Sequence, residues 1–252
     1  MARTRGLTVI LYPAIDIRGG HAVRLLRGSY AHETVYDADP LDAARRWREQ
    51  GATFLHLVDL DGARSGHPEN LDHAERIATG IDVPIQLGGG LRDAEAVSTA
   101  LAVGVSRVVL GTAALAEPEL VAALAAEHGE RIAIGVDARS GRVAVEGWER
   151  ETAVAPADVI ADLSERGVAT FVYTPVEVDG TLSGPDLEGL QAVAAAAADV
   201  GAEVVYSGGI SSLADLREIG ALRIDSLAGV IVGRALYEER FTVAEGQTAL
   251  NG

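Results

Sequence analysis

Four landmarks in the first half of this chain return in the second half, in the same order and at offsets of 116 to 122 residues. Ile15-Asp16-Ile17-Arg18 with Gly20 matches Val136-Asp137-Ala138-Arg139 with Gly141. Gly51-Ala52, Asp61-Gly62 and Ser65-Gly66 match Gly167-Val168, Asp179-Gly180 and Ser183-Gly184. Gly89-Gly90-Leu91 matches Gly208-Gly209-Ile210, and Val109-Leu110-Gly111-Thr112-Ala113 matches Ile231-Val232-Gly233-Arg234-Ala235. A long unit that occurs twice suits two halves of one closed structure better than a solenoid of many short repeats.

The local patterning says what each half contains. Short β-branched or apolar runs at 8–16, 53–59, 83–87, 107–110, 132–137, 170–174, 203–207 and 229–232 read as strands. Stretches rich in Ala, Leu, Glu and Arg at 39–50, 69–79, 93–103, 118–128, 155–166, 186–200, 213–219 and 243–250 read as helices. Pro40 and Pro118 sit in first helical turns, and Gly51, Gly104, Gly129, Gly167 and Gly201 sit where helices should stop. Eight strands alternating with eight helices predict a parallel sheet, and eight such units in a chain this long predict a (β/α)8 barrel. The expected fold is therefore a TIM barrel built from two (β/α)4 half-barrels, at about 8–128 and 131–250, in one domain spanning 1–252. An open doubly wound sheet is the alternative.

Composition removes whole classes of chemistry. The 252 residues carry 21 basic and 37 acidic side chains, and every basic one is arginine. Without lysine there is no Schiff-base enzyme and no P-loop NTPase. Without cysteine there is no disulfide, thiolate nucleophile or Cys-based metal site. His21, His32, His67, His73 and His128 show no metal-ligand spacing, so no metal site is expected. A formal charge of −16 repels nucleic acid and anionic membranes. No apolar run reaches ~18 residues, and the Arg-rich start lacks a signal peptide's apolar stretch. The expected protein is cytoplasmic and monomeric, with a small-molecule substrate and no nucleic-acid or membrane partner.

In a barrel, groups at the C-terminal ends of the strands face the active site. Asp16 ends the first strand and Asp137 the fifth, on opposite sides of an eight-stranded ring. Two carboxylates facing each other across the mouth can serve as one general base and one general acid. A strand-end Asp taken singly is often only a turn or cap residue; here the repeat and the shared Asp-x-Arg context favour catalysis. Gly88-Gly89-Gly90 and Ser207-Gly208-Gly209 follow strands three and seven, while Gly111-Thr112 and Gly233-Arg234 follow strands four and eight. Each is expected to open a helix whose backbone N–H groups can hold an anion. Tight turns that need glycine are the simpler reading of any one of them. Two pairs related by the repeat point to two phosphate sites and a ligand with a phosphate at each end. His56, between Leu55 and Leu57, reads as a core or rim histidine. Trp148 falls in the loop after strand five, where it can stack on a flat substrate or anchor a lid.

These residues resemble one family. Pro13–Ile17, Ala22-Val23-Arg24-Leu25 with Gly28, His56–Ala63, Gln86–Arg92, Gly111-Thr112-Ala113-Ala114, Gly147-Trp148, Asp179-Gly180-Thr181, Ser207–Ile210 and Val232–Tyr237 resemble the signature of the phosphoribosyl isomerase A family, in order and over almost the whole chain. The resemblance implies a histidine-biosynthesis isomerase on a half-barrel-repeat TIM fold. Its substrate is phosphoribosylformimino-5-aminoimidazole carboxamide ribotide, a bis-phosphorylated ribotide. The implied reaction is an Amadori rearrangement from aminoaldose to aminoketose without a cofactor. The resemblance gives Asp16 as the base, Asp137 as the acid or its essential partner, and Thr174 beside the reacting ribose. Arg18, Gly19, Gly89, Gly90, Gly111, Thr112, Trp148, Gly180, Ser207, Gly208, Gly209, Gly233 and Arg234 are the expected substrate and phosphate contacts.

One position departs from the pattern. Many family members follow the strand-six threonine with Asp or Glu, read in some as the acid, whereas this chain has Pro175, with Glu177 two residues on. This departure supports one alternative, and the relatives of the family supply a second. The first is a catalytically impaired phosphosugar-binding barrel. The second is a bifunctional isomerase that also accepts phosphoribosylanthranilate, although such enzymes commonly carry Ser where this chain has Gly88.

Overall fold

A computed structural model describes residues 8–26, 29–111, 113–145, 148 and 150–252. Eight parallel strands form its centre: β1 (Ile10–Arg18), β2 (Leu55–Asp59), β3 (Ile85–Gly88), β4 (Arg107–Leu110), β5 (Ile132–Arg139), β6 (Thr170–Pro175), β7 (Glu203–Ser207) and β8 (Leu227–Val232). Each pairs with its sequence neighbours, and β8 pairs with β1 through Ile10 opposite Gly229, so the ring closes. Closure excludes the open doubly wound sheet, which would leave two edges. The fold is the expected (β/α)8 barrel.

Helices α1 (Pro40–Glu49), α2 (Leu71–Gly80), α3 (Ala94–Ala102), α4 (Pro118–His128), α5 (Pro156–Glu165), α6 (Leu187–Val200), α7 (Leu213–Ala221) and α8 (Val243–Asn251) follow the strands in turn. Asp39 caps α1 by accepting from the Leu41 N–H, ahead of Pro40, and Asp93, Asp186, Ser212 and Thr242 cap α3, α6, α7 and α8 in the same way. Gly51, Gly104 and Gly167 follow helix ends with φ of 95° to 97°, a conformation that glycine adopts without strain. No described helix is long and apolar enough to cross a membrane.

Side chains alternate across each strand, and this divides the core in two. One set, including Leu11, Ile15, Leu57, Leu87, Val108, Ile134 and Phe171, points outward against the helices. The other, Tyr12, Ala14, Val109, Ala133, Val172, Val205 and Ile231, fills the barrel interior. The inward parity of β1 runs Tyr12, Ala14, Asp16; that of β5 runs Ala133, Gly135, Asp137; that of β6 runs Val172, Thr174. The alternation that packs the interior therefore also delivers polar groups to its C-terminal mouth.

Two hairpins were not legible in the sequence. After β1 the chain turns back through antiparallel strands His21–Leu26 and Ser29–Asp37, the first of them paired with β1 itself. After β5 it does the same through Arg142–Val145 and Arg150–Glu151. Both hairpins rise from the mouth, and both carry residues the site uses.

Candidate active site

A cavity of about 300 Å³ opens at the C-terminal mouth, within the range of small-molecule sites. Asp16, Asp137 and Thr174 all line it. The register explains the grouping: Asp137 stands opposite Thr174 on the adjacent strand, and the Thr174 hydroxyl donates to the Asp137 carboxylate.

The two aspartates have different partners. Asp16 Oδ2 lies 2.8 Å from Arg24 Nη1, an ion pair brought over the mouth by the first hairpin. Asp137 Oδ2 accepts from Trp148 Nε1 at 2.8 Å, an indole that follows the first strand of the second hairpin. Trp148 holds φ at 74°, a left-handed conformation that is costly for a bulky residue and recurs where a site over-determines its geometry. Burial pushes both carboxyls up to about 6. For Asp16, Arg24 opposes the rise and Asp179 adds to it; for Asp137, the Trp148 and Thr174 hydrogen bonds oppose it.

Asp179 is the third carboxyl of the cavity, and composition and spacing alone did not single it out. Burial raises it, while Arg24 and the Gly180 N–H hold it back. Arg24 and Asp179 also line a second, smaller recess beside the first, with Gly180, Ser207, Gly208, Gly209, Gly233 and Arg234. A signal for Asp179 was present: it is the repeat partner of Asp61 and opens the Asp179-Gly180-Thr181 run. Arg24 likewise lies inside the Ala22–Leu25 signature segment. Only the hairpin turns it towards Asp16.

The glycine loops take up the expected sides of the mouth. Gly89, Gly90 and Gly111 line the main cavity, and Ser207, Gly208, Gly209 and Gly233 the adjoining recess. Thr112 lies outside the described residues. The expectation that every one of these loops opens a helix directly is corrected. Gly233 does precede a short helix, Arg234–Tyr237, but α3 and α7 begin four residues beyond Gly90 and Gly209, behind caps at Asp93 and Ser212. Close approach requires glycine at 89, 90 and 209, and a φ of 104° favours it at 208. A Cβ on Gly209 would collide with the Gly184 carbonyl oxygen, and one on Gly90 would stand 2.7 Å from that of His67. Arg234 lines the recess, and its side chain is bound to Glu238, at 2.6 Å, and to the Gly180 carbonyl, at 3.0 Å.

Arg18 and Gly19 stand apart from these two pockets. Arg18 pairs with Glu33, and the Gly19 N–H donates to Asp61 Oδ2 at 2.7 Å. Gly19 lines a separate surface cleft with Asp61 and His73. The first-loop arginine that reaches the mouth is Arg24.

Pro175 faces away from the cavity, one residue past inward-facing Thr174. Its repeat counterpart shows the same orientation: Asp59, 1% exposed, accepts from the backbone N–H groups of Gly62, Glu69 and Asn70 and from Asn70 Nδ2. A side chain at position 175 therefore points into loop packing, where it has no route to a ligand. Glu177 accepts from the Ser140 N–H at 2.6 Å and is exposed.

His56 also lines the cavity, buried and hydrogen-bonded to Gln86, and burial with the nearby Arg24 and Arg107 charges pushes it down to about 3. Among the described residues, no cluster of three or more His, Asp or Glu could hold a metal ion.

The profile of the family described as histidine biosynthesis protein matches residues 10–242. The chain belongs to that family. It is 47% identical over 238 residues to 1-(5-phosphoribosyl)-5-((5-phosphoribosylamino)methylideneamino)imidazole-4-carboxamide isomerase of Picosynechococcus, covering 94% of this chain and 92% of that one. It is 44% identical to the isomerase of the same name from Bacillus pumilus, over 96% of this chain and 97% of that one. A third such isomerase, from Brevibacillus brevis, is 44% identical over 98% of both chains. The family match runs from β1 to the residue that caps α8, so both halves of the barrel and both glycine-loop pairs fall inside it.

Proposed function

We propose that this protein isomerises phosphoribosylformimino-5-aminoimidazole carboxamide ribotide, turning the aminoaldose into the aminoketose. The observation that carries the reading is one cavity holding three carboxyls, two of them set against the Arg24 guanidinium, between two glycine-loop regions on opposite sides. A substrate with a phosphoribosyl group at each end, such as the relatives' names describe, fits that layout.

Asp16 serves as the base. With its carboxyl at about 6 it is ionised at neutral pH yet close enough to operating pH to accept a proton efficiently. Asp179 serves as the acid. Two carboxyls sharing one arginine favour retention of a proton by one of them, and among the described residues Asp179 receives the Gly180 N–H and no side-chain donor, whereas Asp137 is stabilised as a carboxylate by two side-chain donors. Asp179 donates to the ribose ring oxygen as the bond from C1 to that oxygen breaks, and the nitrogen lone pair forms the protonated Schiff base. Asp16 then takes the C2 proton, and the electron pair left on C2 flows towards nitrogen to give the enolamine. Protonation at C1 and loss of the hydroxyl proton complete the aminoketose. Asp137 is the essential partner that fixes Thr174 and Trp148 around the sugar.

One phosphate sits against Ser207, Gly208, Gly209, Gly233 and the Arg234 N–H, next to Arg24. The other sits against Gly89, Gly90, Gly111 and Thr112. Nothing beyond backbone N–H groups and Arg24 is needed, which suits a chain without lysine.

The test is a steady-state assay of the purified protein with this ribotide and, separately, with phosphoribosylanthranilate. Turnover of the first that collapses in Asp16→Asn supports the reading. Turnover of phosphoribosylanthranilate alone, or binding of the ribotide without conversion, overturns it.

A further inference from the structure

Below the two catalytic aspartates the barrel interior carries a row of polar side chains that acid–base chemistry at Asp16 and Asp179 does not use. His56, Gln86 and Arg107 stand at one level on β2, β3 and β4: His56 pairs in register with Gln86, and Gln86 with Arg107. Arg107 donates from Nε and Nη2 to Gln86 Oε1, the Nε contact being 2.9 Å. Its guanidinium lies beside the Tyr12–Phe54 ring pair, 5.9 and 5.2 Å from the two centroids.

This row has only one consistent hydrogen-bond direction. A guanidinium has donors and no acceptor, so the oxygen of the Gln86 amide must face Arg107 and its NH2 must face His56. Gln86 Nε2 lies 2.8 Å from His56 Nδ1. Nδ1 must therefore accept, and the single proton of the neutral imidazole must sit on Nε2. Burial and two arginine charges keep the ring neutral. No hydrogen bond among the described residues ends on Nε2, and His56 lines the cavity. His56 pairs with Ala14, two residues before Asp16 on the same inward face of β1, so it lies one layer beneath the base.

We infer that Arg107 and Gln86 are positioning residues that lock His56 as a neutral Nε2–H donor on the cavity floor, aimed at an oxygen of the reacting sugar. The donor strengthens its hydrogen bond as charge builds on that oxygen, which happens when the C2 hydroxyl gives up its proton and the ketone forms. It transfers no proton, because a neutral imidazole held this way is far too weak an acid. A neutral imidazole used as an electrophile has precedent in triosephosphate isomerase, a different barrel enzyme. The sugar oxygen rests on the isomerase reading above; the tautomer does not.

The test has two parts. Nitrogen-15 long-range NMR of histidine-labelled full-length protein, with His56 assigned by its loss in His56→Gln, should show the Nε2–H tautomer without titration between pH 8 and 5. Gln86→Glu, which can only accept from the ring, should abolish that signature. An Nδ1–H signal in the wild type, titration in this range, or an unchanged tautomer in Gln86→Glu overturns the relay. In the ribotide assay, His56→Leu should lower kcat about 100-fold with little change in KM, the scale of losing one preorganised donor. His56→Gln, which keeps an N–H at similar reach, should recover most of that loss. Equal losses in Leu and Gln, or a loss confined to KM, overturn the donor role. A wild type inactive on the ribotide, with the tautomer intact, fails the isomerase reading rather than the relay.

Discussion

The two halves of the barrel place the same residue at the same point and then surround it differently. Asp16 and Asp137 both end an inward-facing run and both are followed by an antiparallel hairpin. The first hairpin supplies a cation, Arg24, and the second a neutral donor, Trp148. Asp61 and Asp179 repeat the lesson. Asp61 is taken up by the Gly19 N–H and Asn70 Nδ2, while Asp179 faces the cavity. Duplication lays out positions, and the loops decide which become chemical and which hold the scaffold.

Substitutions at matched positions put this contrast at risk. The largest effect is expected at the base: Asp16→Asn should cost about 10³ to 10⁴ in kcat, the upper range for losing a general base. A loss as large in Asp137→Asn as in Asp16→Asn, with the same pH profile, would erase the distinction between the halves.

Next come the two hairpin partners. Arg24→Gln leaves Asp16 buried without its counter-charge, so the acidic limb of kcat/KM, expected near pH 6, should move up by about a unit or more. Turnover at pH 7 should fall about 100-fold, combining a wrongly protonated base with a disturbed phosphate recess. Trp148→Phe removes only one neutral hydrogen bond and should cost about tenfold, with a smaller shift of the limb.

A smaller effect concerns stability. The folded-state carboxyl of Asp137 stands at about 6, above its ordinary value of 3.8. Keeping it ionised therefore costs stability above pH 6, and below pH 3.8 both folded and unfolded states hold the proton, so the cost vanishes. Asp137→Asn, which can still accept from Trp148, should be more stable than the wild type by about 1–2 kcal/mol at pH 8. Thermal melts should converge as the pH falls through about 4. A variant less stable than the wild type at pH 8 would mean that the Trp148 and Thr174 hydrogen bonds outweigh burial.

The smallest change is predicted for Pro175→Asp. Because position 175 points into loop packing, turnover should stay within about twofold, at a modest cost in melting temperature from a buried carboxylate. A gain of about tenfold or more would be inconsistent with the orientation described for β6 and would restore the impaired-barrel alternative.

Much of this was readable in the chain. Strand periodicity and the twofold repeat sufficed for the closed barrel, because both are local or self-similar signals. They also placed Asp16 and Asp137 at the mouth, since alternation along a buried strand fixes which way each residue faces, while Thr174 came from the family resemblance. Absence of lysine and cysteine narrowed the chemistry by composition alone, because a missing side chain cannot be restored by folding. What the sequence did not reveal depends on contacts across long separations. Arg24 meets Asp16 only because a hairpin folds back over the mouth, and Asp179 reaches the cavity only where Arg24 and the Gly208–Gly209 loop converge. Pro175 looked functional by adjacency to Thr174, yet a residue beside an inward-facing one points elsewhere; Arg18 shares the parity of Asp16, but at the end of β1 it is taken up by Glu33. The protonation of His56 is the extreme case, because it follows from a register across three strands that share no sequence neighbourhood.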